Sequence, residues 1–335
     1  MEIQKKLFGV LDDGRKIHKF ELSAGNIKLC VSEFGASWTD LFVPDKNGSK
    51  DNILLGFSTL SEYAASGGPF FGGTMGRFAN RIGRSSFVID GETYRLSANE
   101  GENCLHGGYR GFDKKAWIGS EYCGKDGVFV RLLYSSCDGE EGFPGIAHVA
   151  VTYGVHESNK ISADYEVRVS KRCPINITNH SYFNLNGISS NGSDKNVSSI
   201  LDHKLKLNAH FYLPLNEQQL PTGEIKNVHF SKFDFLKLRN IAEEYDNCFV
   251  IDGEKGALKE CAYAYCVSSG RFMRVYTTQE GMQVYTGNNL KKPHTGFCIE
   301  TQNFPDAPNH PDFPSSIYGD GKEYSEHSVF EFGVI

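Results

Sequence analysis

Along most of this chain, hydrophobic and polar residues alternate with a period of two. From Ile161 to Val169 the residues Ile161, Ala163, Tyr165, Val167 and Val169 fall on one face, and Ser162, Asp164, Glu166 and Arg168 on the other. That spacing predicts a half-buried antiparallel strand. Phe87-Val88-Ile89, then Asp90-Gly91, then Glu92-Thr93-Tyr94-Arg95-Leu96 predicts a hairpin with its turn at Asp90-Gly91. Asn-Gly or Asp-Gly dipeptides begin at Asp13, Asn47, Asp90, Asp126, Asp138, Asn186, Asn191, Asp252 and Asp320. Both residue types tolerate the positive φ of a two-residue turn, so many hairpins are expected. A helical period is confined to residues 59–65 and 236–245, each predicting a helix too short to cover a parallel sheet. The Gly-, Ser- and Asn-rich stretch 186–199 reads as an extended surface loop. All-β domains often exceed the usual ~150 residues per domain. The expectation is therefore one all-β domain over residues 1–335, a large twisted antiparallel β-sandwich.

Composition agrees and removes several classes. Glycine at 36 of 335 residues and aromatics at 13% favour turns and strands. A formal net charge of −6 argues against nucleic acid as a partner. No apolar run approaches the ~18 residues of a membrane span. The start, Met1 to Leu7, has no apolar segment behind Lys5 and Lys6, so a cytoplasmic address without a signal peptide is expected. Nine cysteines, an odd number without a C-x-x-C pair, point to reduced thiols rather than a disulfide framework or a zinc finger.

Three predicted strands carry polar faces. In Ile175 to Tyr182, alternation separates Ile175 and Ile177 from Asn176, Thr178, His180 and Tyr182. In Phe297 to Gln302 it separates Phe297 and Ile299 from Cys298, Glu300 and Gln302, and in Met282 to Tyr285 it sets Gln283 and Tyr285 apart. A cleft lined this way suits a polyhydroxylated ligand, whose hydroxyls need donors and acceptors while its C–H faces lie on rings. Alternation alone equally describes the solvated side of an antiparallel sheet, and favours that plainer reading.

A set of motifs carries more. Gly73-Thr-Met-Gly-Arg-Phe-Ala-Asn-Arg-Ile82, Asn103-Cys-Leu-His-Gly-Gly108 with Gly111-Phe-Asp-Lys114, Glu141-Gly-Phe-Pro-Gly145 and Thr178-Asn-His-Ser-Tyr-Phe-Asn-Leu185 are followed by three more. These are Leu213-Pro to Pro221-Thr-Gly-Glu224, Gln283-Val-Tyr-Thr-Gly287 and Glu300-Thr-Gln-Asn-Phe-Pro-Asp-Ala-Pro-Asn309. In this order, from about residue 10 to the end, they resemble the aldose 1-epimerase (galactose mutarotase) family. The resemblance implies a β-sandwich with an open sugar cleft, no metal and no cofactor. It implies interconversion of the α and β anomers of free hexoses such as D-galactose and D-glucose by acid/base ring opening. Carried over motif by motif, Glu300 is the base and His180 the acid. Asn80, Arg81, His106, Asp246 and Gln283 hold sugar hydroxyls, and Tyr182, on the polar side of the His180 strand, is counted with them. The chain departs from the family at Asn247, where His is common.

An ionised Glu300 would be natural at pH 7, and its charge is expected to keep His180 partly protonated. A metal held by His106, His180 and Glu300 lacks the H-x-H or H-E-x-x-H spacing and is set aside. Three other readings remain: a non-catalytic sugar sensor, a glycosidase using Asp246 and Glu300, and a hexose-phosphate epimerase needing extra basic residues at the cleft. The expected partner is a small sugar, with neither nucleic acid nor membrane, and the chain is expected to be a monomer or weak homodimer.

Overall fold

The computed structural model describes residues 1–65, 67–188 and 197–335. Strands dominate, and the three large sheets are antiparallel throughout. A nine-stranded sheet runs in the order Ile118–Cys123, Gly127–Ser136, Ala147–His156, Lys160–Val169, Tyr324–Val334, Arg271–Thr277, Lys259–Tyr265, Lys204–Leu207, Arg239–Asn240. A six-stranded sheet packs on it: Glu2–Val10, Lys16–Ala24, Ile27–Ser32, Ser37–Pro44, Lys50–Leu54, Phe183–Ile188. The third, five-stranded, contains Asp246–Val250, Gly281–Tyr285 and Cys298–Gln302 as neighbours.

The sandwich forms because the alternating apolar faces of the two large sheets have only each other to bury against. The strand over 161–169 forms as the alternation predicts, and Ser86–Ile89 pairs with Glu92–Arg95 across Asp90-Gly91 as a hairpin. Trp38 of the six-stranded sheet meets Tyr153 and Phe330 of the nine-stranded sheet edge-on, each at 5.3 Å between ring centres. A single apolar cluster reaches from Phe20 to Phe332 in sequence. Arg271, fully buried, joins the sheets: its guanidinium donates to the carbonyls of Val43, Ser49, Leu185 and Asn186 and to Asp51 Oδ2 at 2.6 Å. All nine cysteines are free thiols, and no helix among the described residues is long and apolar enough to cross a membrane.

Two expectations need correction. The helix near 59–65 is present as Leu60–Ala65, capped at its start by the Thr59 and Glu62 side chains. The helix over 236–245 does not form. Arg239–Asn240 instead pairs with Lys204 and Leu205 at the sheet edge, and Ala242 takes a φ of +63°. The apolar Ile241 and Tyr245 mimic a helical stripe but enter the core from irregular backbone. Of the loop expected over 186–199, Asn186 to Ile188 end a strand, and 189–196 lie outside the described residues.

The site segments join through side chains rather than a long ladder. Asn176 Oδ1 accepts the Asn303 N–H at 2.7 Å, and its Nδ2 donates to the carbonyl of Ala79 at 3.0 Å. Asn303 Nδ2 returns a bond to the Ile175 carbonyl at 3.0 Å. Asn176→Ala would leave the Asn303 N–H and the Ala79 carbonyl buried and unpaired, at about 1–3 kcal/mol each. The expected result is a loss of roughly 2–4 kcal/mol in denaturant unfolding, with activity falling in the fraction that stays folded. An Asn176→Ala protein as stable as wild type would refute this account of the junction.

Candidate active site

Three buried segments meet at the floor of a cleft of about 990 Å³. The first is the pairing of Arg81–Ile82 with Cys104–Leu105, which sets Asn80 and Arg81 beside His106. Asn80 and His106 both lie in the left-handed region, at φ +65° and +51°, and hold each other. The His106 N–H donates to the Asn80 carbonyl at 3.0 Å, and the Asn80 N–H donates to His106 Nδ1 at 3.1 Å. Gly107 follows at φ +88°, where a Cβ would meet the Gly76 carbonyl oxygen at 1.9 Å, so only glycine fits this turn. Asn80 Oδ1 accepts the Arg81 N–H at 2.9 Å. Arg81 is gripped by Glu100 through two bonds of 2.6 and 2.7 Å.

The second segment carries His180, whose N–H donates to Gly73 at 2.9 Å and whose carbonyl accepts from Gly72 at 3.0 Å. Tyr182 stacks on its ring at 5.0 Å, Phe70 lies over it at 5.8 Å, and His106 meets it edge-on at 5.2 Å. The third segment is the ladder Asp246–Val250, Gly281–Tyr285, Cys298–Gln302. Gln283 faces Glu300 and Tyr285 faces Asp246 across it. Gln283 Nε2 donates to Asp246 Oδ1 at 2.7 Å. Across the cleft floor, His180 Nε2 lies 3.7 Å from Glu300 Oε1. Glu300 Oε2 and Gln283 Oε1 are buried without a hydrogen-bond partner among the described residues, which suits incoming hydroxyl donors.

All eight residues singled out from the motifs line this cleft. The polar faces read from alternation are buried, not solvated. They also divide: Asn176 serves the junction and Gln302 lies buried away from the cleft, while His180, Tyr182, Gln283, Tyr285 and Glu300 line it. Sequence reasoning missed Phe70 and Glu100 as site residues. The signal for Phe70 was the Gly67-Gly68-Pro69-Phe70-Phe71-Gly72-Gly73 run, an aromatic pair set among glycines; Glu100 carried none.

Burial decides the charges. It pushes His180 down to about 4 and His106 well below the usual histidine range, the latter helped by His180 and Arg81. Glu300 is pushed well above the usual carboxylate range by burial and then by the Asp246 charge, with Arg81 opposing. Asp246 is also raised by burial, against the pull of Arg81 and Gln283. A His180 kept protonated by Glu300 is thus not the resting state, because desolvation outweighs attraction across 3.7 Å. A protonated Glu300 beside a neutral His180 nevertheless holds the same single proton as the ionised pair.

His106, His180 and Glu300, separated in sequence, do bring one potential ligand atom each to within 4.8 Å of one another. The chemistry is wrong for a cation. His106 Nδ1 accepts the Asn80 N–H, so the neutral ring carries its proton on Nε2 and offers a donor where a metal needs a lone pair. A hydroxyl or ring oxygen fits that donor.

The model of the family described as Aldose 1-epimerase matches residues 18–331. A galactose mutarotase of Sus scrofa is 37% identical over 355 aligned residues, covering 100% of this chain and 99% of that protein. An aldose 1-epimerase of Escherichia coli (strain K12) is 34% identical over 328 residues, covering 91% of each. The crystal structure of an aldose epimerase homologue from C. elegans superposes with a TM-score of 0.85 at 26% identity, covering 94% of this chain and 98% of that one. That of galactose 1-epimerase from Lactobacillus acidophilus gives a TM-score of 0.86 at 22% identity over 99% of each chain, a likeness of fold. With the sheets, the cleft and its residues arranged as above, and the match running nearly from end to end, this chain belongs to the aldose 1-epimerase family.

Proposed function

We propose that the protein, folded as one domain and acting in the cytoplasm, interconverts the anomers of a free hexose such as D-galactose or D-glucose, with Glu300 and His180 as its proton-transfer pair. The observation that carries this reading is their 3.7 Å approach at the buried floor of a cleft rich in hydroxyl partners. The gap is too long for a direct hydrogen bond. It suits two oxygens attached to one carbon, which is what a hemiacetal presents at C1. The base and acid therefore sit side by side.

Binding replaces solvent around the pair with sugar hydroxyls, and the shared proton passes from Glu300 to His180. Glu300 takes the proton of the C1 hydroxyl while His180 Nε2 gives one to the ring oxygen, and the bond between C1 and that oxygen breaks. The aldehyde turns about C1–C2. The C5 hydroxyl then attacks the other face of C1, returning its proton to His180, while Glu300 returns the first proton to the new C1 oxygen. No atom or electron is gained. His106 is a poor substitute for His180, since its Nδ1 is occupied and its neutral N–H is a very weak acid. It serves as a fixed donor to the sugar, beside Asn80, Arg81, Asp246 and Gln283, with Tyr182 walling the His180 ring. Arg81 is bound by Glu100, and Lys19 lies 3.4 Å from Asp40. That pairing supports a neutral hexose over a phosphorylated one.

Polarimetry of freshly dissolved α-D-galactose tests the reading directly, with spontaneous mutarotation as the baseline. Glu300→Gln and His180→Asn are each expected to lower kcat by about 10²- to 10⁴-fold. Either variant keeping most of the wild-type rate above background would defeat the assignment.

Stability should move the opposite way for Glu300. Its folded-state pKa is raised, so its contribution is present at low pH and lost as pH rises through that value. Glu300→Gln should therefore melt at least about 2 °C higher than wild type at pH 8, less so at pH 5. His180 has the other sign. Its folded value of about 4 lies below an unfolded ~6.5, so stability on the order of 3 kcal/mol is present above pH ~6.5 and lost as pH falls toward 4. His180→Asn should flatten that acid slope in melts between pH 4 and 7; an unchanged slope would contradict it.

Asp246→Asn removes a charge-assisted bond worth about 1.5–3 kcal/mol and should raise KM roughly 10- to 100-fold. Because the Asp246 charge also helps raise Glu300, the alkaline limb of kcat/KM should move to lower pH. A collapse of kcat confined to this variant, with Glu300→Gln active, would exchange the two roles.

A further inference from the structure

One edge of the Arg81 guanidinium is already spoken for by the protein. Glu100 takes Nε at 2.6 Å and Nη2 at 2.7 Å, while Nη1 forms no hydrogen bond among the described residues. The backbone places this partner. Glu100 and Asn103 exchange N–H···O bonds of 3.1 and 2.9 Å across a turn with Gly101 at φ +59°, and the chain then enters Cys104–Leu105, where Leu105 pairs with Arg81. Both members line the cleft, with 11% of the Arg81 side chain and 36% of the Glu100 side chain exposed. A two-bond grip of this kind is how an arginine recognises a carboxylate. Here the carboxylate is the protein's own, set inside a site whose other polar groups suit hydroxyls.

We infer that Glu100 is a specificity-determining residue: by occupying one edge of Arg81 and cancelling its charge, it makes the cleft accept neutral aldoses and refuse anionic ones, uronic acids in particular. A sugar hydroxyl needs a single donor, and Nη1 still offers two N–H groups. A uronate carboxylate would have to share the guanidinium with Glu100 and lie close to a like charge. The rest of the floor gives it no help. Burial favours the neutral forms of Glu300, His106 and His180, so the charge there rests with Arg81, Glu100 and Asp246, one cation against two carboxylates. Among the described residues the other cations lining the cleft are Lys19, paired with Asp40 at 3.4 Å, and Lys291, which is likewise engaged. Glu100 also competes with Asp246 for Arg81, leaving Asp246 to Gln283 and the sugar. The inference rests on the cleft being an aldose site; it does not depend on which groups transfer protons.

D-galactose and D-galacturonate, which differ only at C6, provide the probe, with anomer exchange of each followed at pH 7 above its spontaneous rate. Wild type should favour galactose in kcat/KM by about 100-fold or more, and Glu100→Gln, which keeps an acceptor for Arg81 but not the charge, should narrow that ratio at least about 10-fold. The change should fall mainly on KM for galacturonate. Glu100→Asp retains the charge and should retain the wild-type ratio. In the double variant Glu100→Gln/Arg81→Gln the gain for galacturonate should vanish, since the freed cation is then gone. Thermal melts establish that each variant is folded. A wild type that takes both sugars equally, a Glu100→Gln protein with the wild-type ratio, or a gain that survives loss of Arg81 would overturn the inference; an Arg81 anchor of purely structural value predicts the unchanged ratio. Should wild type leave galactose mutarotation at its spontaneous rate, the proposed activity fails, and the same ratios read as binding constants by ligand-observed NMR decide the role of Glu100 separately.

Discussion

Everything at the cleft floor depends on the carboxamide of Asn176. The chain brings its reactive side chains from segments that share no continuous ladder, and short buried strands leave backbone groups that must find partners elsewhere. Asn176 supplies both an acceptor and a donor at the point where the Arg77–Asn80 segment, its own segment and the segment after Gln302 converge. Arg77 does similar work one layer out, its guanidinium donating to Ser136, Cys137 and Pro144. A buried arginine satisfied mainly by carbonyls costs little only because nearly every N–H has an acceptor. The outcome is rigidity. His180 and Glu300 stand 3.7 Å apart because the segments bearing them are pinned, not because the two attract.

That rigidity makes burial usable. A carboxyl and an imidazole taken out of water both favour their neutral forms, and here both shifts run in that direction. A mobile pair would relax toward solvent or toward each other and lose the effect. Held in place, the pair keeps one proton between two groups whose neutral forms match the state in which the sugar ring is open. The ionised form is the one a bound cyclic sugar must bring out, through hydroxyls that reach Glu300 Oε2 and Gln283 Oε1. Recognition of hydroxyls and activation of the pair are then the same event.

Much of this was legible in the sequence, and the remainder fails for identifiable reasons. Period-two alternation located the strand at 161–169 and the hairpin at Asp90-Gly91 because those features are local. Alternation also isolated His180, Glu300 and Gln283, but it could not say that their faces are buried, since a polar face reads alike in water and in a cleft. The expectation of a helix over 236–245 failed because Arg239–Asn240 found a strand partner far away in sequence. Seven motifs named the family; the positive φ of Asn80 and His106, which pairs their backbones, is invisible to spacing.

The two histidines show where motif reading stops. Both are buried, both pack against the Phe70 ring and each other, and both have pKa values pushed down. Residue type assigns them the same abilities. What separates them is the backbone at each ring, an N–H donating to Nδ1 of His106 and, for His180, a hydrogen bond to its own backbone that favours the charged ring. The first cannot accept a hydrogen and so forbids protonation at that nitrogen; the second does not. A proton-transfer group needs the freedom to hold one proton or two, and a binding group needs to be denied it. Here that distinction is set outside the cleft by atoms that no substrate reaches.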